Sequence, residues 1–198
     1  MVKIPYGKAV YLVSNNINKF YEAREVLNEY GLATVMLRIK GSEIQSDSIE
    51  EIAKESARTM AERLNLNVVT EDAGLFIEAL NGFPGPYSSY VYKTLGNEGI
   101  LKLMEGINDR TAEFRSAVAF AEPNGETKVF LGISSGKIAY RMVRGREFGF
   151  DPIFIPDGCD GRTFAELSIQ EKNAVSHRGK AFKKFAEWYI SLIKLKFK

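Results

Sequence analysis

The stretch that decides the fold covers residues 9–31 and reads AVYLVSNNINKFYEAREVLNEYG. It opens with a continuous apolar run from Ala9 to Val13, which is typical of a strand buried on both faces. A polar turn follows, and from Asn18 onward apolar residues recur at helical spacing, namely Phe20, Ala23, Leu27 and Tyr30. Gly31 then stands where a left-handed helix cap costs least. A strand, a turn and an amphipathic helix in this order predict an α/β protein.

The alternation of strands and helices continues through the first half of the chain. Strand-like segments lie at residues 34–39, 67–70 and 75–80. Between the first two, Ser48 and Glu51 have the spacing of a capping box, in which each side chain accepts from the other residue's backbone N–H. The helix that follows presents one face, made of Ile49, Ile52, Ala53, Ser56, Met60 and Leu64.

The second half of the chain is richer in strands. Alternating residues over 112–120, a turn at 123–125 and apolar positions over 129–133 predict a long antiparallel hairpin. Helical turns are predicted through Tyr90 and over 97–104, and Ser176 is expected to cap a final amphipathic helix. We expect a single two-lobed domain over residues 1–198, with an elongated mixed sheet and flanking helices.

Composition excludes several classes of protein. A chain of 198 residues with 45% hydrophobic side chains can bury one substantial core without disulfides or a structural metal. The 27 Lys and Arg against 25 Asp and Glu give a net charge of only +2, so wholesale electrostatic binding to nucleic acid is not indicated. Because no apolar run resembles a signal peptide or approaches 20 residues, we expect a soluble, cytoplasmic protein without membrane attachment.

Cys159 is the only cysteine of the chain, and His177 is its only histidine. An internal disulfide is therefore impossible, and the zinc motifs CxxC and HExxH are absent. No GxSxG motif surrounds a serine, which makes a Ser-His-Asp hydrolase improbable. Any metal ion must then be held by carboxylates and water, a chemistry that favours magnesium or manganese.

The first chemical feature is the sequence SNNINK at residues 14–19, between the first strand and the first helix. Helix amino termini carry unpaired N–H groups and partial positive charge, so phosphate oxygens are favoured there, and Lys19 can add a full charge. The alternative is an ordinary Asn-rich turn with a solvated lysine. The motif matches neither GxxxxGK[ST] nor GxGxxG, so by itself it does not decide between the two.

The second feature is acidic. Glu43 follows the second predicted strand, Glu71 and Asp72 follow the third, and Gly74 fits a sharp turn after them. Carboxylates at the ends of neighbouring strands can converge on one magnesium ion, which needs only one or two of them beside water and phosphate oxygens. The alternative is a set of surface carboxylates in turns.

Two further segments carry aromatic and cationic side chains. In FGFDP at 148–152, two rings flanking a glycine can form a slot for a flat base, or can be core and surface positions of a strand. EKN at 171–173 and SHRG at 176–179 place several hydrogen-bond donors near a helix start. Cations at a helix start oppose the helix dipole, which favours a functional role over a capped, charged terminus.

Together these features resemble the inosine triphosphate and xanthosine triphosphate pyrophosphatase family over nearly the whole chain. The resemblance rests on stretches in a fixed order: SNNINK at 14–19, EIQS at 43–46, EDAGL at 71–75, NGFPGPY at 81–87, FGFDP at 148–152, TFAEL at 163–167, and EKN at 171–173 with SHRGKA at 176–181. It implies an elongated α/β fold with a deep cleft between two lobes, a homodimer, and removal of inosine, deoxyinosine and xanthosine triphosphates from the nucleotide pool.

The family pattern implies a role for each matching residue. Glu43 and Asp72 are implied as magnesium ligands, with Asp72 also the proton acceptor and Lys19 its catalytic partner; manganese is a possible substitute for magnesium. The residues implied at the phosphate end are Ser14, Asn15, Asn16, Lys19 and the backbone of Ala73. Those implied around the base are Phe148, Gly149, Phe150, Asp151, Lys172, His177 and Arg178.

This chain departs from the family pattern at two positions. Ala73 stands where many members have Ser or Thr, so a side-chain hydroxyl contact is lost although the backbone N–H remains. Ser56 lies near a position where some members carry a lysine, which leaves one phosphate contact without its usual residue.

The implied chemistry agrees with the residue types. Lys19 and a magnesium ion would neutralise the charge that develops on departing pyrophosphate, and Asp72 would orient or deprotonate the attacking water. A donor from Lys172, His177 or Arg178 would favour a 6-oxopurine, because adenine presents a 6-amino donor instead. Two alternatives stay open: a pyrophosphatase for modified pyrimidine nucleotides, and a non-catalytic nucleotide sensor. Retention of Glu43, Asp72 and Lys19 argues against the sensor.

Overall fold

The computed structural model describes residues 8–39, 41, 44–145 and 148–196. The strands are β1 (Ala9–Val13), β2 (Ala33–Leu37), β3 (Val68–Ile77), β4 (Pro84–Gly85), β5 (Thr111–Ala121), β6 (Thr127–Ile138) and β7 (Phe154–Pro156). The α-helices are α1 (Ile17–Glu29), α2 (Ile49–Leu64), α3 (Ser88–Thr94), α4 (Gly96–Leu103), α5 (Ile169–Val175) and α6 (His177–Lys196).

One mixed sheet organises these elements. Its strand order is β2-β1-β3-β5-β6-β7, and the short β4 pairs with β3 off this path. The pairs β1–β2 and β1–β3 are parallel, whereas β3–β5, β5–β6 and β6–β7 are antiparallel. The predicted α/β class with a mixed sheet and flanking helices is confirmed.

Helices cover both faces of the sheet. α1 and α6 pack against one face through a core that includes Leu12, Val69, Val118 and Phe185. α2 packs against the other face, where Ala57 and Met60 meet the small residues Ala117 and Ala119 of β5. α3 and α4 close the far end of the sheet with Val91, Ile100 and Met104, over Leu75 and Ile77 of β3. The first face carries most of the charged side chains described below, which come from β3, α1, α5 and α6.

Several local predictions are confirmed. β1 covers the predicted residues, and α1 ends just before Gly31, whose φ is +68°. The hairpin of β5 and β6 turns at Asn124, where φ is +54°. Ser176 caps α6, since its hydroxyl accepts from the backbone N–H of Gly179 at 3.0 Å. These elements follow from local patterns and turn chemistry alone.

The prediction that the third strand ends at residue 70 is wrong, as is that of a separate strand over 75–80. β3 runs unbroken through the acidic pair, because β5 pairs with it at every residue from Val68 to Ile77. Residues 78–80 form a short 3-10 helix instead. Gly74 lies inside the strand rather than at a sharp turn, and a Cβ there would lie 2.2 Å from the carbonyl oxygen of Gly85. Glycine is needed at this position for the close approach of β4.

Two smaller predictions also need correction. Ser48 caps α2 as expected, accepting from the backbone N–H of Glu51 at 3.2 Å. The reciprocal half of the capping box is not formed, since the Glu51 carboxylate accepts from the Ser46 hydroxyl at 2.7 Å instead. The second strand covers Ala33–Leu37 rather than 34–39, because its pairing with β1 ends where β1 ends, at Val13.

Candidate active site

The site lies where β3 has a neighbour on only one side. β1 pairs with β3 at Val69, and β4 pairs with it again at Leu75 and Phe76. The segment between these pairs contains Glu71 and Asp72, and the turn from β1 into α1 lies next to it. Lys19 reaches this edge directly, since its Nζ donates to the backbone carbonyl of Glu71 at 3.3 Å. The first two chemical features predicted from the sequence are therefore adjacent.

The turn before α1 is held by its own side chains. The Ser14 hydroxyl accepts from the backbone N–H of Asn16 at 3.1 Å. The Asn16 carboxamide oxygen in turn accepts from the backbone N–H groups of Asn18 and Lys19, at 3.0 and 3.2 Å. The predicted helix amino terminus is present, with Asn16 as its cap and Asn15 exposed. The roles of Ser14, Asn15 and Asn16 as phosphate ligands stay predictions.

A chain of alternating charges runs inward from this edge. Lys19 Nζ lies 2.9 Å from Glu71 Oε2, and Arg178 Nε donates to Glu71 Oε1 at 3.1 Å. Arg178 Nη1 donates to Glu22 Oε2, and Lys172 Nζ donates to Glu22 Oε1 at 2.6 Å. The Lys172 ammonium also donates to Asp151 Oδ2. We call this set the ion chain; its members in order are Lys19, Glu71, Arg178, Glu22, Lys172 and Asp151.

Glu22 is the member that the sequence analysis missed. Its side chain is only 8% exposed and lies between Lys172 and Arg178, which come from α5 and α6. A signal was present, since Val26 of the buried face lies four residues further along α1. That spacing places Glu22 on the apolar side of the helix. A carboxylate in such a position requires buried cations as partners.

Burial and charge act in opposite directions on the carboxyl groups of the ion chain. Burial raises the pKa of Glu71, but the charges of Arg178 and Lys19 outweigh it and hold this pKa at about 2. In the same way, burial raises the pKa of Glu22, while Arg178 and Lys172 bring it below its ordinary value. Asp151 differs, because burial raises its pKa to about 6 and Lys172 only partly opposes this. Glu22 and Glu71 are ionised at neutral pH, whereas Asp151 titrates just below it.

The aromatic rings of Phe148 and Phe164 accompany the inner end of the ion chain, and Phe148 contacts both of its cations. Lys172 Nζ and the Arg178 guanidinium carbon lie 5.1 and 5.5 Å from the centroid of the Phe148 ring. The second predicted wall of the base slot is wrong. Phe150 is 3% exposed and belongs to the core, where it meets the Tyr92 ring edge-on at 5.6 Å. The positive φ of Gly149, +58°, redirects the chain between the two rings and separates their environments.

The three predicted base donors have different surroundings. His177 is 2% exposed, and its ring stacks on Phe114 with the centroids 4.6 Å apart. Burial, and then the charges of Arg178 and Lys172, lower the pKa of His177 well below its ordinary value, so its imidazole is neutral. The expectation of a His177 side-chain donor at the base is therefore corrected, since the ring packs in the core. Lys172 and Arg178 remain as cationic donors.

The helix-dipole argument applies to only one of the two cations. Lys172 lies in the last turn of α5, where a cation is favoured, and not at a helix start. Arg178 does lie in the first turn of α6. Both cations are paired with protein carboxylates. Their charge therefore does not require a bound base as a partner.

Residues of the predicted metal site are only partly described. Thr70 donates to the backbone carbonyl of Ala53 in α2, so strand alternation places Asp72 on the α2 face and Glu71 on the opposite face. Asp72 and Ala73 are half-buried. Glu43 lies outside the described residues. Within the described ranges, no group of three or more His, Cys, Asp or Glu side chains is arranged to hold a metal ion.

The fold and the site together define a mixed α/β protein with a chain of mostly buried charges beside an open strand edge. The sequence model of the Ham1 family matches residues 10–188. The chain belongs to the Ham1 family. It is 54% identical over 181 residues to the dITP/XTP pyrophosphatase of Methanopyrus kandleri, covering 91% of this chain and 95% of the relative. The dITP/XTP pyrophosphatase of Thermococcus kodakarensis is 47% identical, over 89% of this chain and 94% of the relative.

Solved structures agree with this assignment. A HAM1 protein from Coxiella burnetii superposes with a TM-score of 0.81 at 30% identity, covering 92% of this chain and 98% of that one. The Staphylococcus aureus Ham1 protein gives a TM-score of 0.78 at 30% identity, with the same coverage. The observed sheet topology is thus that of the family.

The raised pKa of Asp151 predicts a measurable pH dependence of stability. The pKa of Asp151 is about 6 in the folded protein, against an ordinary value of 3.8 for the unfolded chain. As pH falls, the folded protein therefore binds this proton before the unfolded chain does. The contribution of Asp151 to stability is lost as pH rises through that window. Between about pH 4.5 and about pH 7, the free energy of unfolding of the wild type should fall by about 2 kcal/mol relative to Asp151→Asn. Urea unfolding of both proteins at the two pH values measures the difference.

The other carboxyl groups of the ion chain are present in both proteins of that comparison and cancel. A difference between wild type and Asp151→Asn that does not change with pH would contradict the raised pKa. A change in the opposite direction would mean that Lys172 dominates over burial.

Proposed function

We propose that this protein hydrolyses inosine, deoxyinosine and xanthosine triphosphates to the nucleoside monophosphate and pyrophosphate. The observation that carries the proposal is the ion chain, which connects a cation in the first turn of α1 with two cations beside the Phe148 ring. A nucleotide has matching ends, a polyanion and a flat polar base. The names of the M. kandleri and T. kodakarensis relatives support the same substrates.

A magnesium ion fits the described part of the site. Magnesium is typically bound by one or two carboxylates together with water and substrate phosphates, rather than by an all-protein cage. Asp72 supplies one such carboxylate at the open edge of β3, and Glu71 is engaged by Lys19, Arg178 and Ser116. We propose Asp72 and Glu43 as ligands, with manganese as a possible substitute. A bound ion would supply positive charge to the phosphate oxygens and to the departing pyrophosphate.

The protein's own residues then orient the triphosphate and the attacking water. The Lys19 side chain is 22% exposed, and its ammonium donates to a phosphate oxygen and neutralises charge that grows as pyrophosphate departs. The turn capped by Asn16 presents backbone N–H groups at the start of α1, where anions are favoured. Asp72 holds the water that attacks phosphorus and accepts its proton at a carboxylate oxygen.

Recognition of the base follows from the donors that remain at the inner end. Within the described residues, the Lys172 ammonium uses two of its three N–H groups on Glu22 and Asp151. At the start of α6, Ser176 accepts from the backbone N–H groups of Gly179 and Lys180. The N–H groups of His177 and Arg178 come before these, at positions where a helix provides no carbonyl acceptor of its own. A 6-oxo group accepts from such donors. Adenine would leave them unpaired in a buried site, and this favours 6-oxopurines.

The most direct test follows the phosphorus products of inosine triphosphate hydrolysis with magnesium. The wild type should release pyrophosphate, and phosphorus NMR distinguishes it from orthophosphate. Asp72→Asn should lower kcat by about 10²- to 10³-fold or more, because an amide binds magnesium poorly and cannot accept the proton. Asp157→Asn, at an exposed position, is the matched control and should keep full activity.

Three outcomes would contradict the proposal. Orthophosphate as the first product would show that the enzyme cleaves the terminal phosphoanhydride bond instead of the one that releases pyrophosphate. Binding of inosine triphosphate without turnover would favour a sensor, and turnover of modified pyrimidine triphosphates alone would favour the pyrimidine alternative. A separate outcome concerns Asp72 alone: normal turnover by folded Asp72→Asn would contradict its roles as magnesium ligand and proton acceptor.

We further propose a homodimer that acts on the cytoplasmic nucleotide pool. Part of the α2 face of the sheet has exposed apolar side chains, with Leu131 36% and Ile133 43% exposed. Beside them Arg115 pairs with Glu113 on the same strand. Such a surface is self-complementary, because a two-fold axis can bring the acid of one copy against the base of the other. Across the described ranges, no helix combines the length and apolar character needed to cross a bilayer.

Sedimentation of variants tests the dimer and its surface. Ile133→Glu should convert a dimer into a monomer, because it places an unpaired charge in the apolar part of the interface. Leu103→Glu on α4, 46% exposed, is the matched control and should leave the dimer intact. A monomeric wild type would contradict the homodimer, and a dimeric Ile133→Glu would place the interface elsewhere.

A further inference from the structure

The Glu71 carboxylate joins two cations that serve opposite ends of the proposed substrate. Its Oε2 lies 2.9 Å from Lys19 Nζ at the phosphate end. Its Oε1 accepts from Arg178 Nε at 3.1 Å at the base end. The side chain is 3% exposed, so it does not itself reach the solvent side where a nucleotide would enter. Glu71 is therefore placed to act through its neighbours.

Ser116 fixes the orientation of that carboxylate. It lies on β5, pairs with Ala73 in the sheet, and is completely buried. Its hydroxyl donates to Glu71 Oε1 at 2.7 Å, the same oxygen that Arg178 binds. Two donors on one oxygen fix the plane of the carboxylate, and the second oxygen is then directed at Lys19.

Lys19 is held by Glu71 at two points. Its ammonium contacts the carboxylate and also donates to the backbone carbonyl of the same residue at 3.3 Å. The Lys19 side chain is 22% exposed, whereas the other side chains of the ion chain are at most 8% exposed. Both contacts lie on the buried side of the ammonium, which leaves donor capacity on its exposed side. Without this support, the four-carbon stem would sample many rotamers.

We propose that Glu71 and Ser116 are positioning residues, which hold the Lys19 ammonium in place for its contact with the triphosphate. The inference rests on the proposed function, since it assigns Lys19 to the phosphates. A donor that is already oriented before the substrate arrives needs no reorganisation as charge develops. Through Arg178, the placement of Lys19 also depends on the intact base end of the site.

A double-mutant cycle on activity tests whether Ser116 acts through Lys19. The variants are Ser116→Ala, Lys19→Ala and the double variant, assayed for kcat/KM with inosine triphosphate. Loss of one hydrogen bond to a charged group should lower kcat/KM about 10-fold when Lys19 is present. The same substitution should change it less than about 2-fold in the Lys19→Ala background, because the group it positions is gone.

Ser134→Ala is the matched control. Ser134 is also a nearly buried serine on the same face of the sheet, one strand further along, and among the described residues no hydrogen bond joins its hydroxyl to the ion chain. It should keep wild-type kcat/KM in both backgrounds. Glu71→Gln is a second variant for the cycle, with a larger loss that should shrink when Lys19 is absent, and the part that remains reports the contact of Glu71 with Arg178.

The outcomes separate this inference from the proposed function. Equal fold losses with and without Lys19 would show that Ser116 acts on general structure and would overturn the positioning role. No loss in Ser116→Ala would overturn it as well. Failure of the wild type to release pyrophosphate from inosine triphosphate would instead remove the proposed function, and the inference with it.

Discussion

The ion chain is the constraint on which the rest of the structure depends. Five of its side chains are at most 8% exposed, and each buried charge would cost several kcal/mol of desolvation without an opposite charge beside it. Because positive and negative groups alternate, every interior member has two partners. Removal of one interior member takes away one of the opposite charges from each of its two neighbours. The elements that carry them, α1, β3, α5, α6 and the segment before β7, are therefore fixed relative to one another.

This constraint places chemistry at the open edge of β3. Glycines allow the elements to approach closely enough: a Cβ at Gly179 would lie 1.9 Å from the Asn173 carbonyl oxygen, and one at Gly132 would lie 2.0 Å from that of His177. The first turn of α6 is thereby pressed against both α5 and β6. Arg178 in that turn reaches Glu71 on β3, and Lys19 contacts the other oxygen of the same carboxylate. Stability and the proposed recognition of substrate thus share one set of contacts.

The sequence predicts the local elements well because their signals are local. β1, α1, the long hairpin and the cap of α6 all follow from periodicity and turn residues within a few positions. The acidic pair was misplaced at a strand end because charged residues rarely occupy central strands. Here Glu71 is tolerated inside β3 because Arg178, 107 residues away in the chain, neutralises it. Phe150 and His177 were assigned to the base from local motifs and from the family resemblance, whereas packing places both rings in the core.

The partners of the ion chain could not be predicted from spacing. Glu22 binds Lys172 and Arg178 across 150 and 156 residues, and no short motif records such a pairing. The family resemblance identified Lys172 and Arg178 as site residues, but it did not assign them a carboxylate between them. Periodicity alone indicated only that Glu22 lies on the buried side of α1.

A double-mutant cycle on stability tests the central claim most directly. The free energy of unfolding would be measured in urea for Glu22→Gln, Lys172→Met and the double variant. If Glu22 and Lys172 interact, the coupling energy between them should exceed about 1.5 kcal/mol. The losses of stability in the two single variants should then add up to more than the loss in the double variant. Additivity within about 0.5 kcal/mol would contradict the account, because the ion chain would then not hold these elements together.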